Sequence, residues 1–110
     1  MRKRSASSLR QRRKALLRKL PNLQQILQGS LIERYKPCGK PGCKCAQGPG
    51  HGPKYYLSIS RTGQGPKMDY VPQEYRDQVQ EYLDNCRLVR EIIGEISQIN
   101  QELLRRREDL

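Results

Sequence analysis

Leucines recur at intervals of three, four or seven positions through the first 27 residues, which is the spacing of one face of an α-helix. The positions are Leu9, Leu16, Leu20, Leu23 and Leu27. We expect this helix to begin near Ser7 or Ser8, because either hydroxyl could cap it. Pro21 breaks a helical hydrogen bond, so it predicts a kink or a shorter second helix over residues 21–28. Gly29 is then expected to end the helical region.

Between residues 30 and 72 the period changes, and glycine and proline recur every few positions, as in strands joined by turns. Three strands are predicted, over residues 31–36, 54–60 and 67–71, with residues 62–65 (Thr-Gly-Gln-Gly) as the hairpin connection between the last two. Side chains alternate along a strand. The second strand is therefore expected to carry Tyr55, Leu57 and Ile59 on one face and Tyr56, Ser58 and Ser60 on the other.

From Pro72 the apolar residues return to a helical period, with acids in the early turns and arginines at the end. A heptad assignment places Val79, Cys86, Ile93 and Asn100 at position a, Tyr82, Val89, Ile96 and Leu103 at d, Ile92 and Ile99 at g, and Leu83 and Leu104 at e. This broad stripe must be buried. We expect either an antiparallel hairpin with the first helix or a coiled-coil dimer, in which Asn100 would fix the register.

These elements predict an α+β fold of three segments in one compact domain. Residues 1–29 form a basic arm and helix, residues 30–72 a small three-stranded antiparallel β unit with a Cys/His loop, and residues 73–110 a long amphipathic helix. Hydrophobic residues make up 35% of the 110, and Phe and Trp are absent, so the core must be small.

Charge is segregated along the chain, whose formal net charge is +11. Residues 1–67 contain sixteen basic residues and one acid, Glu33, whereas residues 68–110 contain six basic and ten acidic residues. Clustered Lys and Arg gain binding free energy from counterion release when they meet phosphates. The first two-thirds of the chain therefore predict a nucleic-acid partner, RNA or DNA.

Cations and tyrosines are interleaved in the β region, a mixture that combines phosphate neutralisation with base stacking. The predicted contact residues are Arg2, Lys3, Arg4, Arg10, Arg12, Arg13, Lys14, Arg18, Lys19, Arg34, Lys36, Lys40, Lys44 and Lys54, with Tyr35 and Tyr56 as the exposed rings. Two simpler interpretations stay open. The charge run could only solvate the chain or pair with the acidic last helix, and about half of the tyrosines are expected in the core.

Four soft metal ligands, Cys38, Cys43, Cys45 and His51, follow the spacing C-x4-C-x-C-x5-H in a stretch rich in Gly and Pro. Thiolate and imidazole donors brought round one centre are what Zn²⁺ requires. The alternatives are a tight turn of reduced, half-buried cysteines, with His51 bonded to the backbone, or a disulfide or redox role. Cys86 lies at a helical core position and is not expected to bind metal.

Several classes of protein are not expected. A catalytic site needs a base or nucleophile with a supporting group, and the single histidine lies among the cysteines, so we predict no enzyme. Arg18 and Lys19 interrupt the apolar run at residues 15–17, and no stretch approaches the roughly 20 apolar residues of a membrane span. We therefore expect a cytoplasmic protein without a membrane partner.

Two stretches of the sequence are distinctive. The first is the run Gly29-Ser30-Leu31-Ile32-Glu33-Arg34-Tyr35, and the second comprises Cys38-Gly39-Lys40, Cys43, Cys45 and His51-Gly52-Pro53-Lys54-Tyr55-Tyr56-Leu57-Ser58. Together they resemble a family of short, uncharacterised bacterial proteins. The resemblance covers residues 28–104. It implies a bacterial or phage origin and carries no function over to this chain.

The sequence thus predicts a non-enzymatic protein that binds structured RNA or DNA as an accessory subunit of a nucleoprotein assembly. The alternative is a protein-interaction adaptor that docks through its last helix, either on a partner protein or on its own copy.

Overall fold

A computed structural model of the chain describes residues 4–36, 51–60 and 63–110, with the backbone alone at residues 36, 51 and 52. The elements in chain order are α1 (Ala6–Leu17), β1 (Ser30–Lys36), β2 (His51–Ile59), β3 (Lys67–Val71), a short 3₁₀ helix (Gln73–Tyr75) and α2 (Arg76–Arg105). A helix, a three-stranded antiparallel sheet and a long second helix confirm the predicted α+β class. Within the described ranges, neither helix is long and apolar enough to cross a membrane.

Contacts divide the chain into two units. The helical unit consists of Met1–Ile26 with Asp84–Leu110, and the sheet unit is Leu27–Leu83. Most of the first predicted segment, up to Ile26, thus groups with the later part of the third, residues 27–29 group with the sheet, and α2 contributes residues to both units.

The N-terminus of α1 lies slightly earlier than predicted. Ser5, in extended backbone, caps the helix, because its hydroxyl oxygen accepts a hydrogen bond of 3.1 Å from the backbone N–H of Ser8. Ser7 and Ser8, the predicted caps, lie inside the first turn.

The predicted short helix over residues 21–28 is wrong. After Arg18 caps α1, the Asn22 side chain accepts from the Gln24 backbone N–H at 3.0 Å in a local turn. The backbone carbonyl of Gln25 accepts from the Asn85 side chain at 2.9 Å, within the helical unit. The backbone N–H of Leu27, which a helix over residues 21–28 would bond to the Leu23 carbonyl, donates instead to the backbone carbonyl of Tyr82 at 3.2 Å.

In the helical unit, α1 packs against the later part of α2 around a small core. Its buried residues are Leu9, Leu16, Ile92, Ile99 and Leu103, with Ala6, Leu20 and Ile96 packed at the edge. Polar pairs run in opposite directions along the two helices, since Arg10 lies near Glu108 and Arg12 near Glu95. α1 and the later part of α2 therefore lie antiparallel within one chain, and pairing of α2 with a second copy stays a prediction.

The buried stripe of α2 differs from the predicted a/d seam in this unit. Ile93, at position a, is 60% exposed, and Leu104 is exposed as well, whereas Ile92, Ile99 and Leu103 are buried. α1 therefore contacts the side of α2 that carries positions d and g. The apolar a and e residues of this part are left without an intramolecular partner among the described residues.

The sheet unit has strand order β1-β2-β3, with both neighbouring pairs antiparallel. Leu57 in the central strand is buried with Val71 and with Leu83 of α2. Further apolar residues pack on this core, namely Leu27, Leu31, Tyr55, Ile59 and Val79. Tyr55, Leu57 and Ile59 thus share the covered face, as the alternation along β2 predicts.

Gly29 leads the chain into β1 with a φ of +132°, in the region that favours glycine. A Cβ at this position would lie 2.5 Å from the backbone oxygen of Ser58 on the neighbouring strand. The close approach of β1 to β2 at this point therefore requires the missing side chain.

Neighbouring leucines on α1 test the core of the helical unit. Leu16→Ala should lower the free energy of unfolding by about 2–5 kcal/mol, because it opens a cavity against α2. Leu17→Ala, at a position 54% exposed, should change it by less than about 0.5 kcal/mol. Urea denaturation followed by circular dichroism measures both, and equal losses would contradict the described packing.

Two glycines test the backbone argument. Gly29→Ala should destabilise the protein by roughly 1–3 kcal/mol, since the new methyl group meets the Ser58 oxygen and the φ is strained. Gly94→Ala, in the helix interior with open space around the position, should stabilise it by up to about 1 kcal/mol. Thermal melts compare the two variants, and a harmless Gly29→Ala would disprove the close approach.

Candidate nucleic-acid interface

Arg12, one of the predicted contact residues, is bound within the helical unit. Its guanidinium donates to both carboxylate oxygens of Glu95, at 2.9 Å from Nε to Oε1 and 3.3 Å from Nη2 to Oε2. This hydrogen-bonded pairing lowers the pKa of Glu95 below its usual value and raises the pKa of Arg12. Both side chains therefore stay charged at neutral pH, and Arg12 stabilises the hairpin.

Two further arginines of α1 contact α2 and the residues that follow it. Arg13 donates to the side-chain oxygen of Asn100 at 2.6 Å, and Arg10 donates to the backbone oxygen of Asp109 at 2.8 Å. Arg10 also lies 3.7 Å from the Glu108 carboxylate. For these residues the structure places the cations against α2, which is the pairing that the simpler interpretation of the charge run describes.

The remaining described cations of the first twenty residues lie at the surface. Lys14, Arg18 and Lys19 are exposed, and no described residue forms a hydrogen bond or ion pair with their side chains. Their position near the C-terminus of α1 also suits the helix dipole. Arg4 is exposed, and its backbone carbonyl accepts from Arg106.

A second group of cations lies on the open face of the sheet. By strand alternation and register, the side opposite the core, the outer sheet face, carries Ser30, Ile32, Arg34, Lys54, Tyr56, Ser58, Met68 and Tyr70. The two acids in the strands, Glu33 and Asp69, alternate onto the other side, opposite Tyr55 and Leu57. Among the described strand residues, this face has two cations and no carboxylate.

Arg34 lies across the middle of the outer sheet face. Its guanidinium carbon is 5.8 Å from the centroid of the Tyr56 ring, and its Nη2 is 3.4 Å from the Met68 sulfur. The ring of Tyr56 in turn meets that of Tyr70 edge to face, with centroids 5.9 Å apart and an interplanar angle of 69°. Arg34 thus interacts with an aromatic face and a thioether, which are weak acceptors compared with a carboxylate or phosphate.

Arg34 and Lys54 are direct cross-strand partners. Like charges directly opposite one another destabilise a sheet, so this pair has a local folding cost. An anion that contacts both side chains would remove that cost. The pair is therefore better suited to binding an anion than to stabilising the sheet.

Of the two tyrosines predicted to be exposed, Tyr56 is half-buried between Arg34 and Tyr70. Tyr35 is 47% exposed and follows Arg34 at a register shift of β1, so alternation does not place it with Arg34. Tyr70 is one of the tyrosines interleaved with cations in the β region, and at 59% exposed on the outer sheet face it is a ring whose exposure was not predicted. Pairing β3 against β2 in the predicted hairpin could have found it, because Tyr70 lies directly opposite Tyr56.

The other predicted contact residues are not placed. Arg2, Lys3, Lys40 and Lys44 lie outside the described residues, and only the backbone of Lys36 is described, opposite His51 in the sheet register.

The predicted metal ligands Cys38, Cys43 and Cys45 also lie outside the described residues, and His51 is described by its backbone alone, at the start of β2. In the part of the chain that the structure does describe, no group of three or more His, Cys, Asp or Glu could hold a metal ion. Cys86 is a buried free thiol in α2, as predicted. The zinc site itself stays a prediction.

One apolar groove lies on the helical unit, along the side of α2 that α1 leaves open. It is lined by Ile93, Ile96, Ser97, Asn100, Gln101, Leu104 and Leu110. Contiguous exposed apolar surface of this kind is typical of a protein-interaction site.

Comparison with known proteins identifies a family to which the chain belongs, and no function is described for that family. No curated protein and no solved structure matches the chain significantly. A family described as a domain of unknown function, DUF6788, matches residues 7–81. That range includes most of α1, which the resemblance over residues 28–104 left out, and it ends within α2. Since the match covers more than half of the 110 residues, the chain belongs to the DUF6788 family.

Proposed function

We propose that the chain is a non-enzymatic nucleic-acid-binding protein of the cytoplasm, which binds RNA or DNA mainly through phosphate contacts as an accessory subunit of a nucleoprotein assembly. The observation that carries the proposal is the outer sheet face, where Arg34 and Lys54 lie opposite each other with no described carboxylate beside them. The likeness of residues 29–58 to short bacterial proteins supports a bacterial or phage origin.

Electrostatics favour a phosphate polymer on this face. The two cations repel each other across β1 and β2, and a phosphate that binds both gains attraction while it removes the repulsion. Each phosphate contact also releases condensed counterions from the nucleic acid. A guanidinium suits this task because its planar fork can bind two phosphate oxygens at once.

The exposed cations of α1 support the same partner in a different way. Lys14 and Arg18 have no described ion-pair partner, so their charge is available to attract a polyanion at long range, whereas part of the field of Lys19 acts on Glu95. Arg10, Arg12 and Arg13 contribute less, because each already binds a polar group of the helical unit.

The rival proposal is a protein-interaction adaptor. The apolar groove on α2 favours it, since Ile93, Leu104 and Leu110 expose more than half of their surface without a described partner. The salt dependence of binding distinguishes the two proposals. Phosphate contacts give a steep decrease in affinity with salt, whereas apolar docking does not.

Reversing one charge on the outer sheet face tests the proposed function. Lys54→Glu should weaken oligonucleotide binding on the order of 10-fold at roughly 50 mM salt and flatten the log–log salt dependence by about one contact or more. Its free energy of unfolding should stay the same or increase by about 0.2–1 kcal/mol, because the new carboxylate faces Arg34. Fluorescence anisotropy and urea denaturation measure the two effects.

Lys67→Glu is the matched control, since Lys67 is also an exposed strand lysine and alternates onto the opposite side of the sheet. It changes the net charge equally and should reduce affinity only a few-fold by its long-range field, within about threefold. Equal losses in both variants, or no binding of RNA and DNA by the unaltered protein at low salt, would overturn the proposal.

We also propose that Cys38, Cys43, Cys45 and His51 bind one Zn²⁺ that contributes to folding. Elemental analysis of the purified protein should find about one zinc per chain. Cys43→Ser should lose the metal, whereas Cys86→Ser should keep it, because Cys86 is buried in α2. Less than about half a zinc per chain would favour the metal-free turn.

A further inference from the structure

We propose that the outer sheet face binds single-stranded nucleic acid, with one unpaired base stacked on Tyr70 and the adjoining phosphates held by Arg34 and Lys54. This inference rests on the proposed function and names the form of nucleic acid that this face accepts. It depends on the arrangement of two tyrosines and two cations on adjacent strands.

Tyr70 has the properties of a stacking side chain. More than half of it is exposed, on a face with no described carboxylate, although a large ring gains more free energy from burial. The edge-to-face contact with Tyr56 restricts the ring, so little side-chain entropy remains to be lost when a base packs against it. Any base can use such a ring, because every base has a π-face.

Tyr56 is a positioning residue in this arrangement. Its ring contacts Tyr70 on one side and lies beneath the guanidinium of Arg34 on the other. It therefore holds the stacking ring of β3 and the phosphate-binding cation of β1 at a fixed separation across the three strands. Sequence reasoning assigned Tyr56 to direct contact, whereas the geometry assigns direct contact to Tyr70.

The cations lie at a distance from Tyr70 that suits one nucleotide. Lys54 is the diagonal neighbour of Tyr70 across the β2–β3 pair, and diagonal neighbours are roughly 7–8 Å apart. Arg34 reaches the Met68 sulfur, two residues from Tyr70 on the same strand. A phosphate next to the stacked base can replace this weak sulfur contact with charge-assisted hydrogen bonds.

A duplex would use this face poorly. In a double helix the bases are stacked on one another and their faces are not accessible, so Tyr70 could contribute no stacking. The sheet is only three strands across, and it offers a surface rather than a helix or ribbon that enters a groove. Duplex binding would depend on the cations alone, whereas a single strand gains from both the cations and the ring.

The test compares Tyr70→Ala with Tyr75→Ala in the full chain. Tyr75 is 52% exposed, on the 3₁₀ helix outside the outer sheet face, so it is a control of nearly equal exposure. The probes are an oligouridine of about 12 nucleotides and a duplex of the same length. Tyr70→Ala should weaken oligouridine binding by about 10-fold, which corresponds to the loss of one base–aromatic stack, and should leave its salt dependence unchanged.

Duplex affinity should change by less than about twofold in Tyr70→Ala, and Tyr75→Ala should match the unaltered protein on both probes. Tyr70→Phe keeps the ring and should bind oligouridine as tightly as the unaltered protein. It keeps the inference testable if Tyr70→Ala fails to fold. Because the protein has no Trp, its intrinsic fluorescence comes from tyrosine, and quenching of that fluorescence by oligouridine reports stacking. The extent of quenching should be smaller in Tyr70→Ala than in the unaltered protein.

Four results would overturn the inference. Equal loss on both probes in Tyr70→Ala, or no loss on either, would show that the ring does not stack on a base. Competition by polyglutamate as strong as that by oligouridine of equal charge would make the face a general polyanion site. In the first two cases the Lys54→Glu result can still support the proposed function, whereas failure of both probes to bind would overturn both proposals.

Discussion

The alternation of side chains along the central strand β2 determines the rest of the sheet unit. Leu57 is buried with Val71 of β3 and Leu83 of α2, and Leu31 of β1 packs on the same core, so burial favours the observed register of both strand pairs. A slip by one residue would exchange the two faces and expose the core. The same register brings Lys54 opposite Arg34 and Tyr56 opposite Tyr70. The candidate interface is therefore a consequence of how the core packs, and it needs no further element to hold it in place.

The described cations fall into two groups with different surroundings. In the helical unit, Arg12 binds Glu95 through two hydrogen bonds, Arg13 binds Asn100 of α2, and Arg10 binds Asp109 beyond the end of α2. Such fork-shaped contacts explain why arginine occurs at these positions. In the sheet unit, the described surroundings of Arg34 are an aromatic ring and a sulfur atom. The total charge of +11 thus overstates the charge that is available to a partner. The surroundings of each cation decide whether its side chain is free to contact a phosphate.

Local patterns predicted the elements well and their tertiary contacts poorly. The strand over residues 67–71 and the two faces of β2 followed from alternation and turn residues, because these depend on neighbours in the sequence. The helix predicted after Pro21 does not form, and the Leu27 N–H that it would use bonds to Tyr82, which is distant in the sequence. The seam of α2 and the partners of Arg12 depend in the same way on where α1 packs, and Tyr70 becomes notable only when Tyr56 lies opposite it.

The central claim is that a nucleic acid binds on the side of the sheet opposite its core. Backbone amide chemical shifts in a ¹⁵N-labelled protein, recorded during titration with oligouridine, test it most directly. We expect the largest shifts in the three strands, around Arg34, Lys54 and Tyr70, and small shifts around the apolar groove of α2. Shifts concentrated at Ile93 and Leu104, with the strands unchanged, would contradict the account, because they would place the oligouridine on α2 rather than on the sheet.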